Sequence, residues 1–159
     1  MRHRNTTIAR LAPCAVMPLL LAAAGPAGDW HGRYVCAQGL TALDLAIEEP
    51  APGRLTALFH FAADPANPGV PEGCFTMAGR YDPASGAVRL DPGNWVMQPF
   101  GYAMVGLDGK LDPAGRQIAG QVTLVPICTD FTLTRVVQPP RRVAAACRPA
   151  ASVTASAAR

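Results

Sequence analysis

An all-β fold, a small antiparallel meander barrel or sandwich of eight or nine strands, is what this sequence predicts. Three observations carry that expectation: apolar residues recur with a period of two, two Asp-Pro turns echo one another, and the composition is turn-rich. The chain has 159 residues, enough for one domain, and its 15 glycines and 16 prolines imply many turns and few long helices. Such a composition excludes a coiled coil or a collagen-like chain.

Along the chain, Arg2, Arg4 and Arg10 precede an uncharged stretch, LAPCAVMPLLLAAAGPAG, that ends at Gly28. It is too short and too rich in small residues and proline to span a bilayer comfortably. A basic start before an apolar run is the form of a signal peptide, expected over 1–24, with Ala22 and Ala24 meeting the A-x-A rule and a cut after Ala27 as the alternative. Pro13 stands where lipoprotein processing before Cys14 needs a small residue, and His3 separates the two arginines that a twin-arginine signal keeps adjacent.

Strands are expected near 30–37, 40–48, 54–62, 74–82, 87–91, 94–98, 102–111, 116–124 and 129–135. Thr41, Leu43, Leu45 and Ile47 share one parity and leave Asp44 and Glu48 on the other; a helix would put Asp44 on the apolar face. Leu55, Ala57, Phe59 and Phe61 oppose Thr56 and His60, while Phe75, Met77, Gly79 and Tyr81 oppose Thr76, Arg80 and Asp82. Ile118, Val122 and Leu124 oppose Gln117, Gln121 and Thr123, and Phe131 and Leu133 oppose Asp130, Thr132 and Thr134. The segments Asp82-Pro83-Ala84-Ser85-Gly86 and Asp112-Pro113-Ala114-Gly115 each begin with a proline that presets φ and close with a glycine able to adopt the left-handed conformation, so two equivalent hairpins are expected. All ten aromatic residues fall between Trp30 and Phe131, which marks a domain over 29–135. The remainder, 136–159, is an Ala/Pro/Arg tail without aromatic residues, expected to be disordered or loosely docked.

All eleven acids lie in the domain, against seven bases there, so the formal charge of +3 belongs to the leader and the tail. An acidic body has no basic footprint for nucleic acid. Four cysteines follow the leader: Cys36, Cys74, Cys128 and Cys147. An even count in an exported chain favours disulfides, although four cysteines allow three connectivities. If the sheet closes as a barrel, the first and last strands become neighbours, which favours Cys36 with Cys128 and leaves Cys74 with Cys147.

Chemistry is sparse. Ser85 lies in a turn, Ser152 and Ser156 lie in the tail, and His31 and His60 are the histidines beyond the leader. Neither G-x-S-x-G nor H-E-x-x-H occurs, so no catalytic residue, cofactor or metal is assigned. His60 with Asp64 and His31 could supply metal ligands, but the polar parity of His60 predicts that it faces solvent. Between Asp91 and Tyr102, Trp95, Phe100 and Tyr102 stand among glycine and proline beside the amides of Asn94 and Gln98. Aromatic faces beside amides suit sugar or peptide binding in a barrel mouth, whereas the competing reading makes Trp95 a core plug and Pro99 an edge bulge. The proline-rich loop from Ala62 to Gly73 is a candidate rim or a plain connection.

Trp30, Gly32, Tyr34, Cys36, Gln38, Gly39 and Thr41 spell W-x-G-x-Y-x-C-x-Q-G-x-T. This start resembles that of uncharacterised secreted bacterial β-domains, some of them attached to caspase-like peptidases. Asn67 to Gly73, Gly79-Arg80-Tyr81-Asp82, Trp95 with Pro99-Phe100-Gly101-Tyr102, and Cys128 to Leu133 extend the resemblance across the domain. The resemblance implies a recurring Cys36–Cys128 pair, with Cys74 and Cys147 as additions, and an accessory role rather than a reaction. Tyr34-Val35-Cys36 is also similar to a segment of periplasmic lysozyme inhibitors. The expected function is a noncatalytic binding module of the periplasm or medium, recognising an envelope glycan, peptide or protein, with no stable membrane span once the leader is cut. The alternative is a proteinaceous inhibitor of a hydrolase such as lysozyme or a protease.

Overall fold

The period-two segments form strands, and each strand pairs with the next along the chain. The computed structural model describes residues 25–137 and Cys147; the expected leader over 1–24 and the rest of the tail lie outside the described residues. Eight strands follow one another: β1 (Gly28–Cys36), β2 (Gly39–Ala51), β3 (Arg54–Ala63), β4 (Gly73–Asp82), β5 (Ala87–Met97), β6 (Gly106–Leu111), β7 (Gln117–Thr123) and β8 (Asp130–Arg135). All neighbours are antiparallel, and β1 also pairs with β8 from Trp30 opposite Arg135 to Tyr34 opposite Phe131. The sheet is therefore a closed barrel and not a sandwich. No helix among the described residues is long and apolar enough to cross a membrane.

Alternation decides which residues fill the lumen. Leu43, Leu45 and Ile47 of β2, Leu55, Phe59 and Phe61 of β3, and Phe75 and Met77 of β4 are buried, as are Phe131 and Leu133 of β8. An eight-stranded barrel has an interior just wide enough for side chains to fill. Here Phe59 and Phe75 stack at 4.5 Å, with Tyr34 edge-on to Phe59 at 5.5 Å. Each large apolar side chain so buried contributes about 1.5–3 kcal/mol. Both Asp-Pro turns form as expected: Gly86 (φ 76°) and Gly115 (φ 67°) take the left-handed conformation, and Leu111 N donates to Gly86 O at 2.9 Å, joining the two hairpins.

Three boundaries differ from the alternation pattern. The expected strands 87–91 and 94–98 are one strand, β5, bent by a bulge. Met77 pairs with Pro92 and Phe75 with Trp95, so β5 has one residue more than β4 across this step. Pro92 has no N–H to donate, and Thr76 Oγ1 accepts the Asn94 N–H at 2.9 Å instead of a ladder carbonyl. Residues 102–105 are a loop and not a strand, because the β5–β6 ladder begins only at Leu90 opposite Leu107. Leu124 does not continue the inner face of β7: its φ of 73° turns the chain away after Thr123 and leaves it 65% exposed.

The seam between β1 and β8 needs a glycine. A methyl group on Gly32 would overlap the Thr132 carbonyl of the neighbouring strand. At one end of the seam the Arg135 guanidinium lies over the Trp30 ring, 4.2 Å from its centroid. At the other, a disulfide joins Cys36 to Cys128 across 92 residues of chain, and a second joins Cys74 of β4 to Cys147 across 73. Cys147 is thus tied to β4 and is fully buried.

In the chain-entropy account, a cross-link over so long a loop stabilises by about 4 kcal/mol. Replacing Cys36 and Cys128 together by serine is expected to lower the urea-unfolding free energy by about that amount. A loss under about 1 kcal/mol would show that the β1–β8 ladder alone holds the barrel shut.

Candidate functional site

Up-and-down connectivity sends alternate connections to opposite ends of the barrel. Short turns gather at one end, whereas the β1–β2 turn, the β3–β4 loop (64–72), the β5–β6 loop (98–105) and the β7–β8 loop (124–129) share the other. This second end is plugged by polar groups. Gln38 Nε2 donates to Tyr34 Oη at 2.8 Å and to Thr41 Oγ1 at 3.1 Å, and Thr41 donates in turn to Gly39 O. Burial pushes the Tyr34 phenol up, outweighing the opposite pull of its hydrogen-bonded neighbours Thr41 and Gln38, so it stays protonated. Asn67 Nδ2 donates to Gln38 O at 2.6 Å and Leu40 O at 3.0 Å, clamping the β3–β4 loop onto the β1–β2 turn. Asp64 holds that loop from within: it is buried, accepts the Ala66 N–H at 2.8 Å and pairs with Arg33 at 3.0 Å.

The residues expected to bind ligand fall in two environments. Trp95 is half-buried, edge-on to Phe75 at 5.1 Å and to Phe61 at 6.4 Å. Tyr102 lies flat on Phe61 at 5.4 Å and 13°. One face of Tyr102 and an edge of Trp95 therefore belong to the core. Gln98 Nε2 donates to Tyr102 O at 3.2 Å, which closes the β5–β6 loop on itself, and Asn94 sits at the exposed bulge. Phe100 stands alone at the loop tip, 103% exposed, beside Gly101 at φ 79°. Leu124 and Ile127 of the neighbouring β7–β8 loop are each 65% exposed.

A different cluster lies on the outer wall, and here the expectation from parity is corrected. His60 does point outward, but it is 7% exposed rather than open to solvent. Its partners are not Asp64 but Asp44 (Nδ1 to Oδ2, 3.4 Å) and Glu72 (Nε2 to Oε1, 2.6 Å). His31 Nδ1 meets the other oxygen of Asp44 at 2.6 Å. Register builds this row: His31 is opposite Asp44, Asp44 opposite His60, and His60 opposite Cys74. The hydrogen bond with Asp44 raises the His60 pKa, and the bond to Glu72 adds to it against the cost of burial. Burial works against ionisation of Asp44, but hydrogen bonds from His60 and His31 outweigh it and hold that carboxyl below its usual range. His60, Glu72 and Cys147 place ligand atoms within 4.8 Å of one another, but the Cys147 sulfur is bonded to Cys74 and has no thiolate to offer a metal.

No family model, curated protein or solved structure matches this chain. The site therefore rests on its own geometry. The histidine row escaped a reading of the sequence because its members are far apart along the chain. One signal pointed to part of it: a two-residue turn at Ala37-Gln38 sets His31 opposite Asp44.

The sign of the coupling between pH and stability follows from these shifts. With its folded pKa above the ordinary 6.5, His60 contributes stability that is complete below that value and fades as pH rises through the raised one. Asp44 contributes above its ordinary 3.8 and loses its share as pH falls through the lowered value. His60→Gln is expected to cost roughly 2 kcal/mol near pH 5 and clearly less near pH 9, read by urea unfolding at both. An equal cost at the two pH values would show that packing, not charge, holds His60.

Proposed function

We propose that this chain is a noncatalytic, exported binding module whose β5–β6 and β7–β8 loops seat a protein partner. The observation that carries this reading is Phe100, wholly exposed at the tip of a loop that is otherwise tied down: Tyr102 N donates to Pro99 O and the Gln98 side chain to Tyr102 O. Leu124 and Ile127 add aliphatic surface at the same end of the barrel. Apolar anchors on fixed loops suit a protein interface, in which a few buried aromatic and aliphatic side chains carry most of the binding energy. A glycan would need open aromatic faces flanked by free amides. Trp95 and Tyr102 give part of that surface to Phe61 and Phe75, and the Gln98 amide is already engaged.

Export is supported by the leader pattern and by two disulfides, which persist in oxidising compartments. The noncatalytic reading is supported by the placement of the reactive groups. Ser85 donates to Asp82 in a surface turn, and the imidazole of His60 stands between the Asp44 and Glu72 carboxylates, where a glycosidase would need room for substrate or water. Inhibition of a hydrolase is favoured by one feature, the β3–β4 loop, which Asp64 and Asn67 hold rigid while Pro65, Pro68 and Pro71 remain exposed.

Site-specific photocrosslinking tests the proposal in the protein's own envelope or medium. A benzophenone amino acid at position 100 is expected to capture a discrete protein, and the same probe at Ser85, at the opposite end, is not. The proposal fails if both positions yield the same products or if position 100 yields none. Phe100→Ser together with Ile127→Ser should weaken association with the captured partner at least tenfold, about 1.4 kcal/mol or more, with the melting temperature unchanged.

A further inference from the structure

The three residues ahead of β1, Gly25–Ala27, are tied to the barrel wall through all three of their carbonyls. Gly28 pairs with Ile47, so Gly25–Ala27 run on beside the far end of β2. Pro26 is buried, and its carbonyl accepts the Trp30 indole N–H at 2.8 Å. Arg135 spreads its guanidinium over three carbonyls: Nη2 to Gly25 O at 2.5 Å, Nη1 to Ala27 O at 2.6 Å, and Nε to Gly115 O at 2.6 Å. The carboxylate of Glu49 faces this corner, since a methyl group built on Gly25 would lie 3.2 Å from its Oε2. The other oxygen of Glu49 accepts the Gly53 N–H at 2.8 Å and fixes the side chain in place.

We infer that the mature chain begins at Gly25 and that its new α-ammonium docks beside the Glu49 carboxylate, closing a clasp of Gly25–Ala27 over Trp30 and Arg135. This rests on the exported reading and deepens it by naming the processed bond and the group that receives its product. Hydrolysis adds water across the Ala24–Gly25 amide, leaving a carboxylate on Ala24 and an ammonium on Gly25. The enzyme class is an endopeptidase of export that selects small side chains, here Ala22 and Ala24, on the leader side of the bond. A cut after Ala27 would strip the indole of Trp30, which is 1% exposed, of its acceptor and remove two of the three carbonyls that Arg135 holds. Leaving a buried donor unpaired is costly, so the fold is complete only with residues 25–27 present. Glu49 supplies a second reason. An ammonium at Gly25 brings a positive charge near the Arg135 guanidinium, whose other charged neighbour is Asp112, and Glu49 is the acid that faces Gly25.

Expression of the whole chain with its own leader, followed by intact mass and N-terminal sequencing of the exported product, tests the cut. The expected product starts at Gly25. A start at Gly28, or an exported product retaining Met1, would overturn the inference while leaving export intact, and a chain recovered only from the cytoplasm would overturn export as well. Docking is tested by titrating the α-amine by NMR after 13C-methylation, in the mature protein and in Glu49→Gln, which keeps an acceptor for Gly53. The variant's α-amine is expected to titrate roughly half a pH unit lower. Equal values in the two proteins would overturn the docking.

Discussion

β1 is hydrogen-bonded on both sides, to β2 along its whole length and to β8 across Trp30–Tyr34, and this double pairing removes the two edges that an eight-stranded meander otherwise exposes. The rest of the molecule depends on that closure. Without it the aromatic layer of Phe59, Phe61 and Phe75 would have an open side, and neither the disulfide at one end of β1 nor the arginine clasp at the other would have a partner. The W-x-G-x-Y-x-C-x-Q-G-x-T segment is the part of the chain that forms this strand and its turn. Trp30 fills one end, Gly32 permits close approach, Tyr34 and Gln38 cap the other end, Cys36 is stapled, and Gly39 turns the chain at φ 86°. Thr41, which accepts a hydrogen bond from Gln38, completes the set, so each defined position of the segment carries a structural task.

Closure also separates the two ends of the barrel. One end carries tight Asp-Pro turns, whose carboxylates are spent within the turns: Asp82 accepts from the Ser85 hydroxyl and the Ala84 N–H, and Asp112 accepts the Arg116 and Gln117 N–H groups. The other carries longer loops, and these divide again. The β3–β4 loop turns its polar groups inward to clamp the β1–β2 turn, while the β5–β6 loop turns a phenylalanine outward. A rigid scaffold presenting a few apolar groups on pinned loops loses little conformational freedom on association, which is the physical basis for proposing a partner surface at that end.

How far the sequence could be read depended on the range of the interaction concerned. Period two identified the inner face of β2, β3 and β4 because side-chain direction in a strand is local, and the proline-glycine turns were equally local. Closure was one reading among two, barrel or sandwich, since pairing of β1 with β8 joins residues about a hundred positions apart. The bulge at Gly93-Asn94 reads as a strand break in the sequence because Pro92 and Gly93 are breakers by composition, and only the Thr76 hydroxyl of the facing strand, accepting the Asn94 N–H, shows how the ladder crosses it. Leu124 departs from its parity for the converse reason: alternation says nothing about a backbone that turns left-handed.

Composition, alternation and turn chemistry by themselves determined an antiparallel β-fold, the lumen-facing residues of β2, β3 and β4 and a cysteine count suited to two cross-links. The tertiary structure decided what lies over each face. His60 has the parity of a surface residue and the burial of a core one, because register brings Asp44 beside it and a disulfide brings Cys147 over it. Phe100 and Trp95 lie in the same Gly/Pro-rich stretch, yet Trp95 is half-buried and Phe100 fully exposed. The reason is common to both: a strand's own residues set the direction in which a side chain points, but its neighbours come from distant chain segments, and only their packing sets whether that direction leads to water.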